Sequence, residues 1–172
     1  MGALKIVTAN VNGINNLIKR KKIMQILKKI GDIIFIQETH LCKEEHEKLG
    51  KLIGAQIFAT SYTSAKRGVT VLLNNSLGFV KDKCIRDREG RYVFVQGEID
   101  AQAVTLINVY NPPGEDVAFM KRILHLLMSE TRSHVHLSTS TFPLRILSYS
   151  SRFGFSSFIM SVFVIYDTAY TV

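Results

Sequence analysis

The sequence predicts a mixed α+β fold of stacked layers, and three observations carry that expectation. Short β-branched runs alternate with helical stripes at the start of the chain, as strand–helix–strand–helix. A series of strands punctuated by turn residues follows, with no helix between them. A further amphipathic stripe then closes near residue 131. Elements in that order bury their apolar faces as helices laid on a mixed sheet, rather than as a bundle. A length of 172 residues suits one domain.

The first strand is read at 3–9, where Leu4, Ile6 and Val7 precede the turn-prone Asn10-Val11-Asn12-Gly13. Over 19–30, Ile23, Ile26, Leu27 and Ile30 fall at helical spacing, flanked by Lys21, Lys22, Lys28 and Lys29. Gly31 ends that helix. Ile33-Ile34-Phe35-Ile36 is continuously apolar, the pattern of a strand buried on both faces, and stops abruptly at Gln37-Glu38-Thr39-His40. A more polar helix fits 43–52, and strands follow at 56–60, 68–73, 79–85, 92–99 and 104–110. Asp87-Arg88-Glu89-Gly90 reads as a hairpin turn with Gly90 at a left-handed position. Asn111-Pro112-Pro113-Gly114 ends the last strand, because proline has no N–H for a central ladder. Phe119, Ile123, Leu126 and Leu127 stripe the closing helix over 116–131.

Charge divides the chain. Lys and Arg number 22 against 14 Asp and Glu, a net charge of +8 that favours a polyanionic partner. Residues 133–172 carry only Arg145, Arg152 and Asp167 among their charges, with nine serines and the apolar stretch 153–166. The sequence therefore divides into a basic domain over 1–132 and a Ser-rich apolar tail over 133–172. The apolar stretch falls short of the roughly 20 residues a spanning helix needs, so no membrane anchor is expected. Cys42 and Cys84, with no signal-peptide pattern ahead of them, read as reduced thiols in a cytosolic or nuclear setting.

Three apolar strands end in a polar side chain: Asn10, Glu38 and Tyr110. Ligand sites of layered sheets gather beyond strand ends. A carboxylate set directly after a buried run is costly unless it is paired or bound to a cation. Magnesium is commonly held by one or two carboxylates, with water and substrate phosphate completing its octahedron. The same spacing also fits an exposed loop acid and a turn asparagine. His40 and His46, and His134-Val135-His136, lack a partner at zinc spacing and read as solvated or packed histidines. The run Lys19-Arg20-Lys21-Lys22 reads as a solvated helix start, a phosphate-backbone contact or a nuclear signal.

Five segments, in this order and spacing, resemble the exonuclease III/apurinic endonuclease family of the DNase I-like endonuclease/exonuclease/phosphatase fold. They are Thr8-Ala9-Asn10-Val11-Asn12-Gly13-Ile14, Ile36-Gln37-Glu38-Thr39-His40-Leu41, Gly68-Val69-Thr70-Val71-Leu72-Leu73, Arg86-Asp87-Arg88-Glu89-Gly90-Arg91-Tyr92 and Leu106-Ile107-Asn108-Val109-Tyr110. More narrowly, residues 4–131 resemble the endonuclease domain of LINE-type retrotransposon polyproteins. The resemblance implies a DNase I-like α/β sandwich and a DNA endonuclease, or an abasic-site endonuclease of DNA repair, acting in the nucleus. It implies Mg2+ or Mn2+ at Glu38, with Asn10 as an active-site amide at the metal and Tyr110 as a tyrosine on the scissile phosphate. It also places a DNA contact at Lys66 and Arg67.

The family continues beyond its last helix into an Asp-x-Asn motif, which orients the attacking water, and a terminal Asp-His motif on the phosphate. Residues 132–172 contain neither, and Asp167 is followed by Thr168 and Ala169. The resemblance thus implies an incomplete sandwich, the N-terminal half, joined near Ser133 to an unrelated tail. One sheet face is expected to lie bare or to be covered by 153–166. Hydrolysis is expected to be lost or crippled, and the alternatives are a non-catalytic remnant that binds nucleic acid weakly and a phosphatase of the same superfamily.

Overall fold

The computed structural model describes residues 4–111 and 117–130, together with the backbone of strands at 145–150 and 159–167. The elements are β1 (Lys5–Asn10), α1 (Leu17–Ile30), β2 (Ile33–Gln37), α2 (Lys43–Ile53), β3 (Ala55–Thr60) and β4 (Val69–Asn74). A short 3-10 turn, Asn75–Leu77, leads to β5 (Val80–Arg86), β6 (Tyr92–Ile99), β7 (Gln102–Asn111), α3 (Val117–Glu130), β8 (Arg145–Ser150) and β9 (Ile159–Asp167). Each element expected from the sequence forms within two residues of its expected bounds. Residues 112–116 and 131 lie outside the described residues, as do His134 and His136.

The strands form two sheets, in the orders β3-β4-β2-β1-β8 and β5-β6-β7-β9. The class is mixed α+β with two small sheets and, among the described residues, three helices. Period-2 alternation explains the layering. Ile33 and Phe35 of β2 face the opposite sheet with Val69, Val71, Val93, Val95 and Leu106, while Ile34 and Ile36 face the helices with Met24, Leu27 and Leu49. A strand apolar at every position is therefore buried on both faces, as its sequence predicts. α3 covers the outer face of the second sheet through Phe119, Ile123 and Leu127, against Phe94, Ile107 and Val109.

Two expectations need correction. Among the described residues no sheet face lies bare: the inner faces pack on each other and helices cover the outer ones, while cover by 153–166 falls on side chains outside the described residues. The stripe of α1 is also rotated. Arg20, Met24 and Leu27 point inward, Ile23 and Ile30 are half-buried, and Ile26 is exposed. The cause is Arg20, whose Nε donates to Ile14 O at 2.9 Å and whose guanidinium pairs with Glu45 of α2. A buried guanidinium satisfied by hydrogen bonds can turn a helix away from the face that hydrophobicity alone selects.

Residues 133–172 yielded no element from sequence. Here β8 lies parallel to β1 from Lys5↔Arg145 to Asn10↔Ser150. β9 runs antiparallel to β7 from Ala103↔Asp167 to Asn111↔Ile159. Each sheet thereby gains one strand from this stretch. Among the described residues no helix is long and apolar enough to cross a membrane.

Candidate functional site

β1 and β2 are parallel, with Asn10 opposite Gln37, so the loops that follow them leave the first sheet side by side. Three main-chain bonds tie those loops together: Val11 N–H to Gln37 O at 3.1 Å, Gly13 N–H to Glu38 O at 2.7 Å and Ile14 N–H to Thr39 O at 3.0 Å. The pairing bends both chains sharply. Asn12, Glu38 and His40 all take left-handed backbone, with φ of 44°, 53° and 53°. Non-glycine residues visit that region rarely, and the surroundings must hold them there.

Glu38 is 8% exposed, as is Asn10. Asn10 Nδ2 donates to Glu38 Oε1 at 3.0 Å, while Asn10 Oδ1 accepts from the Asn12 N–H at 3.1 Å. That second bond fixes the amide, so Asn10 presents a donor rather than an oxygen to the carboxylate. The other carboxylate oxygen, Oε2, lies 3.8 Å from His40 Nε2. Burial lowers the His40 pKa; the Glu38 charge opposes that shift and the Lys19 ammonium adds to it. Lys19 Nζ itself donates to Val11 O, Asn12 O and Gly13 O at 2.7–3.0 Å, clamping the Asn10 loop from below. The basic run 19–22 thus splits. Lys19 and Arg20 are structural, whereas Lys21 and Lys22 are exposed.

A chain of main-chain bonds carries the rim across to the second sheet. Thr39 N–H donates to Gly68 O, Gly68 N–H to Gly90 O and Tyr110 N–H to Arg91 O, at 3.1, 3.1 and 2.7 Å. Tyr110, at the end of β7, therefore stands on the same rim as Glu38 and is 7% exposed, at the edge of the inter-sheet core. Beside it Arg91 Nη2 donates to Asn111 Oδ1 at 2.8 Å, and its guanidinium lies 3.4 Å from the Phe119 ring centroid. Behind the rim, Asn108 Nδ2 donates to Ile36 O and Thr70 O, and Gln37 Nε2 donates to Asn108 Oδ1 at 2.6 Å. That buried network ties one sheet to the other, although Gln37 Oε1 and the Thr70 hydroxyl beside it have no hydrogen-bond partner among the described residues.

Lys66 and Arg67 occupy the loop before β4, at the same rim. Lys66 is exposed. Arg67, left-handed at φ 61°, is held by Glu89 Oε2 at 3.0 Å and stacks 4.9 Å over the Tyr62 ring. A guanidinium engaged in this way is a poorer phosphate partner than the free lysine beside it.

A second polar chain lies under the loop. Thr39 Oγ1 is 2.9 Å from His46 Nε2, and His46 Nδ1 is 2.8 Å from Ser61 Oγ. His46 is buried, and desolvation, with the Arg20 charge second, pushes its pKa down to about 4 against the pull of the Cys42 carbonyl. It is therefore a neutral, packed histidine, as expected. His40, also expected to be solvated or packed, instead stands beside Glu38. Its place two residues from the carboxylate is the only signal in the sequence, and the left-handed backbone at both residues is what the sequence does not show.

Among the described residues no three His, Cys, Asp or Glu side chains come together as a metal cage. The arrangement fits a hard cation held by one carboxylate, with water and a ligand oxygen supplying the rest. No known protein-family model matches the chain.

Proposed function

We propose that this chain carries the metal- and phosphate-binding rim of a magnesium-dependent DNA nuclease with a DNase I-like sandwich, and that in this chain the rim binds DNA without measurable hydrolysis. The observation that carries the reading is Glu38: a buried carboxylate on left-handed backbone, one oxygen anchored by Asn10 and the other 3.8 Å from His40 Nε2. Strain of this kind persists where the surrounding structure over-determines it, and it clusters at functional sites. Glu38 would hold the ion, Asn10 would orient the carboxylate, and Tyr110 would meet a phosphate oxygen on the same rim. A bound magnesium ion supplies charge neutralisation and polarisation of a phosphoryl oxygen.

Binding without turnover follows from the lost motifs. Residues 132–172 offer no Asp-x-Asn to orient a water and no Asp-His to meet the phosphate. Losing one such group costs about 10²–10⁴ in rate. The net charge of +8 supplies the electrostatic part of DNA affinity.

The test is anisotropy of a labelled DNA duplex with and without magnesium, beside a supercoiled-plasmid nicking assay. Magnesium is expected to tighten duplex binding by the wild type several-fold and to leave Glu38→Gln unchanged, with no nicking by either. A wild type indifferent to magnesium overturns the metal reading. Magnesium-dependent nicking that disappears in Glu38→Gln overturns the loss of hydrolysis.

A further inference from the structure

A cleft of about 550 Å³ opens beside the rim, between the start of α2 and the edge strand β3. Its polar lining is Lys43, His46, Glu47, Thr60, Ser61 and Arg86, on a floor that includes Ile57, and the Thr60 hydroxyl is taken up by Asp87 O. Two cations and one anion give the lining a single net positive charge, because His46 stays neutral. Among the described residues neither Lys43 nor Arg86 takes part in an ion pair. Arg86 is aimed by its Nε, which donates to Ala59 O at 3.1 Å and leaves the two terminal nitrogens of the guanidinium for other partners.

The hydroxyl in the cleft is directed as well. Ser61 Oγ, His46 and Thr39 Oγ1 form one chain at 2.8 and 2.9 Å, and a neutral imidazole has one donor and one acceptor. The Ser61 hydroxyl is the outer end of this chain, held by the imidazole where it lines the cleft. The inner end of this chain is Thr39, the residue next to Glu38.

We propose that this cleft is a second phosphate subsite, in which Lys43, Arg86 and the Ser61 hydroxyl hold one phosphodiester of the same DNA whose other phosphate lies at the Glu38 rim. A diester carries one negative charge and matches the single net positive charge of the lining. Glu47 disfavours the second charge of a phosphate monoester. The subsite rests on the DNA-binding reading above, but it does not require metal at Glu38.

The experiment measures anisotropy of a labelled DNA duplex against potassium chloride, without magnesium, for the wild type, Lys43→Gln/Arg86→Gln, Ser61→Ala and Lys28→Gln. Losing one phosphate contact is expected to reduce the log–log salt slope of the double variant by about 1. Its affinity should fall five- to tenfold. Ser61→Ala should weaken binding two- to fourfold with the slope unchanged, and Lys28→Gln, on the outer face of α1, should match the wild type. A double variant with the wild-type slope and affinity overturns the subsite, while magnesium-tightened binding lost in Glu38→Gln would leave the rim reading standing. A wild type that binds no duplex overturns both. Binding of phosphatidylserine vesicles, lost in the double variant while duplex binding is kept, overturns DNA as the occupant.

Discussion

The two ends of the sandwich both contain left-handed residues, and they hold them for different reasons. At the far end Asp100 and Ala101, at φ 51° and 60°, form the tight connection between β6 and β7. Successive left-handed residues there match the twist of the paired strands, so the cost is local and the hairpin itself offsets it. At the rim Asn12, Glu38, His40 and Arg67 are left-handed in connections that are not two-residue hairpins. Bonds between loops distant in sequence hold them, from Gly13 to Glu38 and from His40 to Arg67. Strain at the far end shapes a turn. Strain at the rim places a buried carboxylate, and its support can be removed piece by piece.

The largest effect is expected from the support itself. Gly68 takes φ 93°, and a Cβ there would overlap Thr39 Oγ1, a buried side chain tied to His46. Gly68→Ala should cost about 4 kcal/mol, combining backbone strain with overpacking. Urea unfolding at neutral pH checks this, and a cost below about 1 kcal/mol would mean that the rim is not over-determined.

Acid is the next lever. His46 has a folded pKa of about 4 against an ordinary 6.5, so between those values the unfolded chain binds a proton that the folded chain refuses. Stability is therefore full above pH 6.5 and falls as pH drops toward 4, by about 3 kcal/mol over the window. His40 is shifted in the same direction and adds to the loss. Glu45 acts lower down: its carboxyl is held at about 2 by Lys48 and Arg20, and that support disappears as pH falls from 4.5 toward 2. Urea midpoints at pH 7 and pH 5, for the wild type and His46→Gln, separate the histidine share. An unchanged slope in the variant would assign the acid loss elsewhere.

Most of the fold is legible in the sequence because it follows from periodicity. Ile33–Ile36 buries both faces, and Asp87–Gly90 turns one strand into the next, without reference to distant residues. Asn10, Glu38 and Tyr110 are legible as strand-end groups; Asn10 and Glu38 are hydrogen-bonded to each other, and Tyr110 lies near the end of β7. Arg20, Thr39, His46 and Ser61 are not legible, because their roles depend on partners 7 to 25 residues away and on which way each helix turns. The strands at 145–150 and 159–167 escaped for another reason. Serines interrupt both segments, so neither shows the clean alternation or the unbroken apolar run that marks a strand.

Asn10→Ala tests the side-chain layer of the rim, leaving the backbone alone. It removes the donor to Glu38 Oε1 and the acceptor for the Asn12 N–H, so a cost of about 2 kcal/mol is expected. Magnesium should also tighten duplex binding less in this variant than in the wild type, since the carboxylate loses its anchor. Equal magnesium responses would show that left-handed backbone alone positions Glu38.

The smallest effect is expected at the far end, and its sign is opposite. Asp-Gly is the preferred pair for a two-residue hairpin with both positions left-handed, and here the second position is Ala101. Replacing it by glycine removes the clash between Cβ and the backbone that left-handed geometry imposes, worth about 1–2 kcal/mol in the folded chain. The greater freedom of glycine in the unfolded chain returns part of that gain. Ala101→Gly should therefore stabilise the protein by about 0.5–1 kcal/mol and leave magnesium-dependent duplex binding at the wild-type level. The same logic applied at the rim separates the two ends. Glu38→Gly relieves an equivalent backbone strain but deletes the carboxylate, so stability is expected to change little while the magnesium response disappears. A destabilised Ala101→Gly, measured by urea midpoint, would mean that the far turn is held by tertiary contacts as the rim is, and the contrast between the ends would fail.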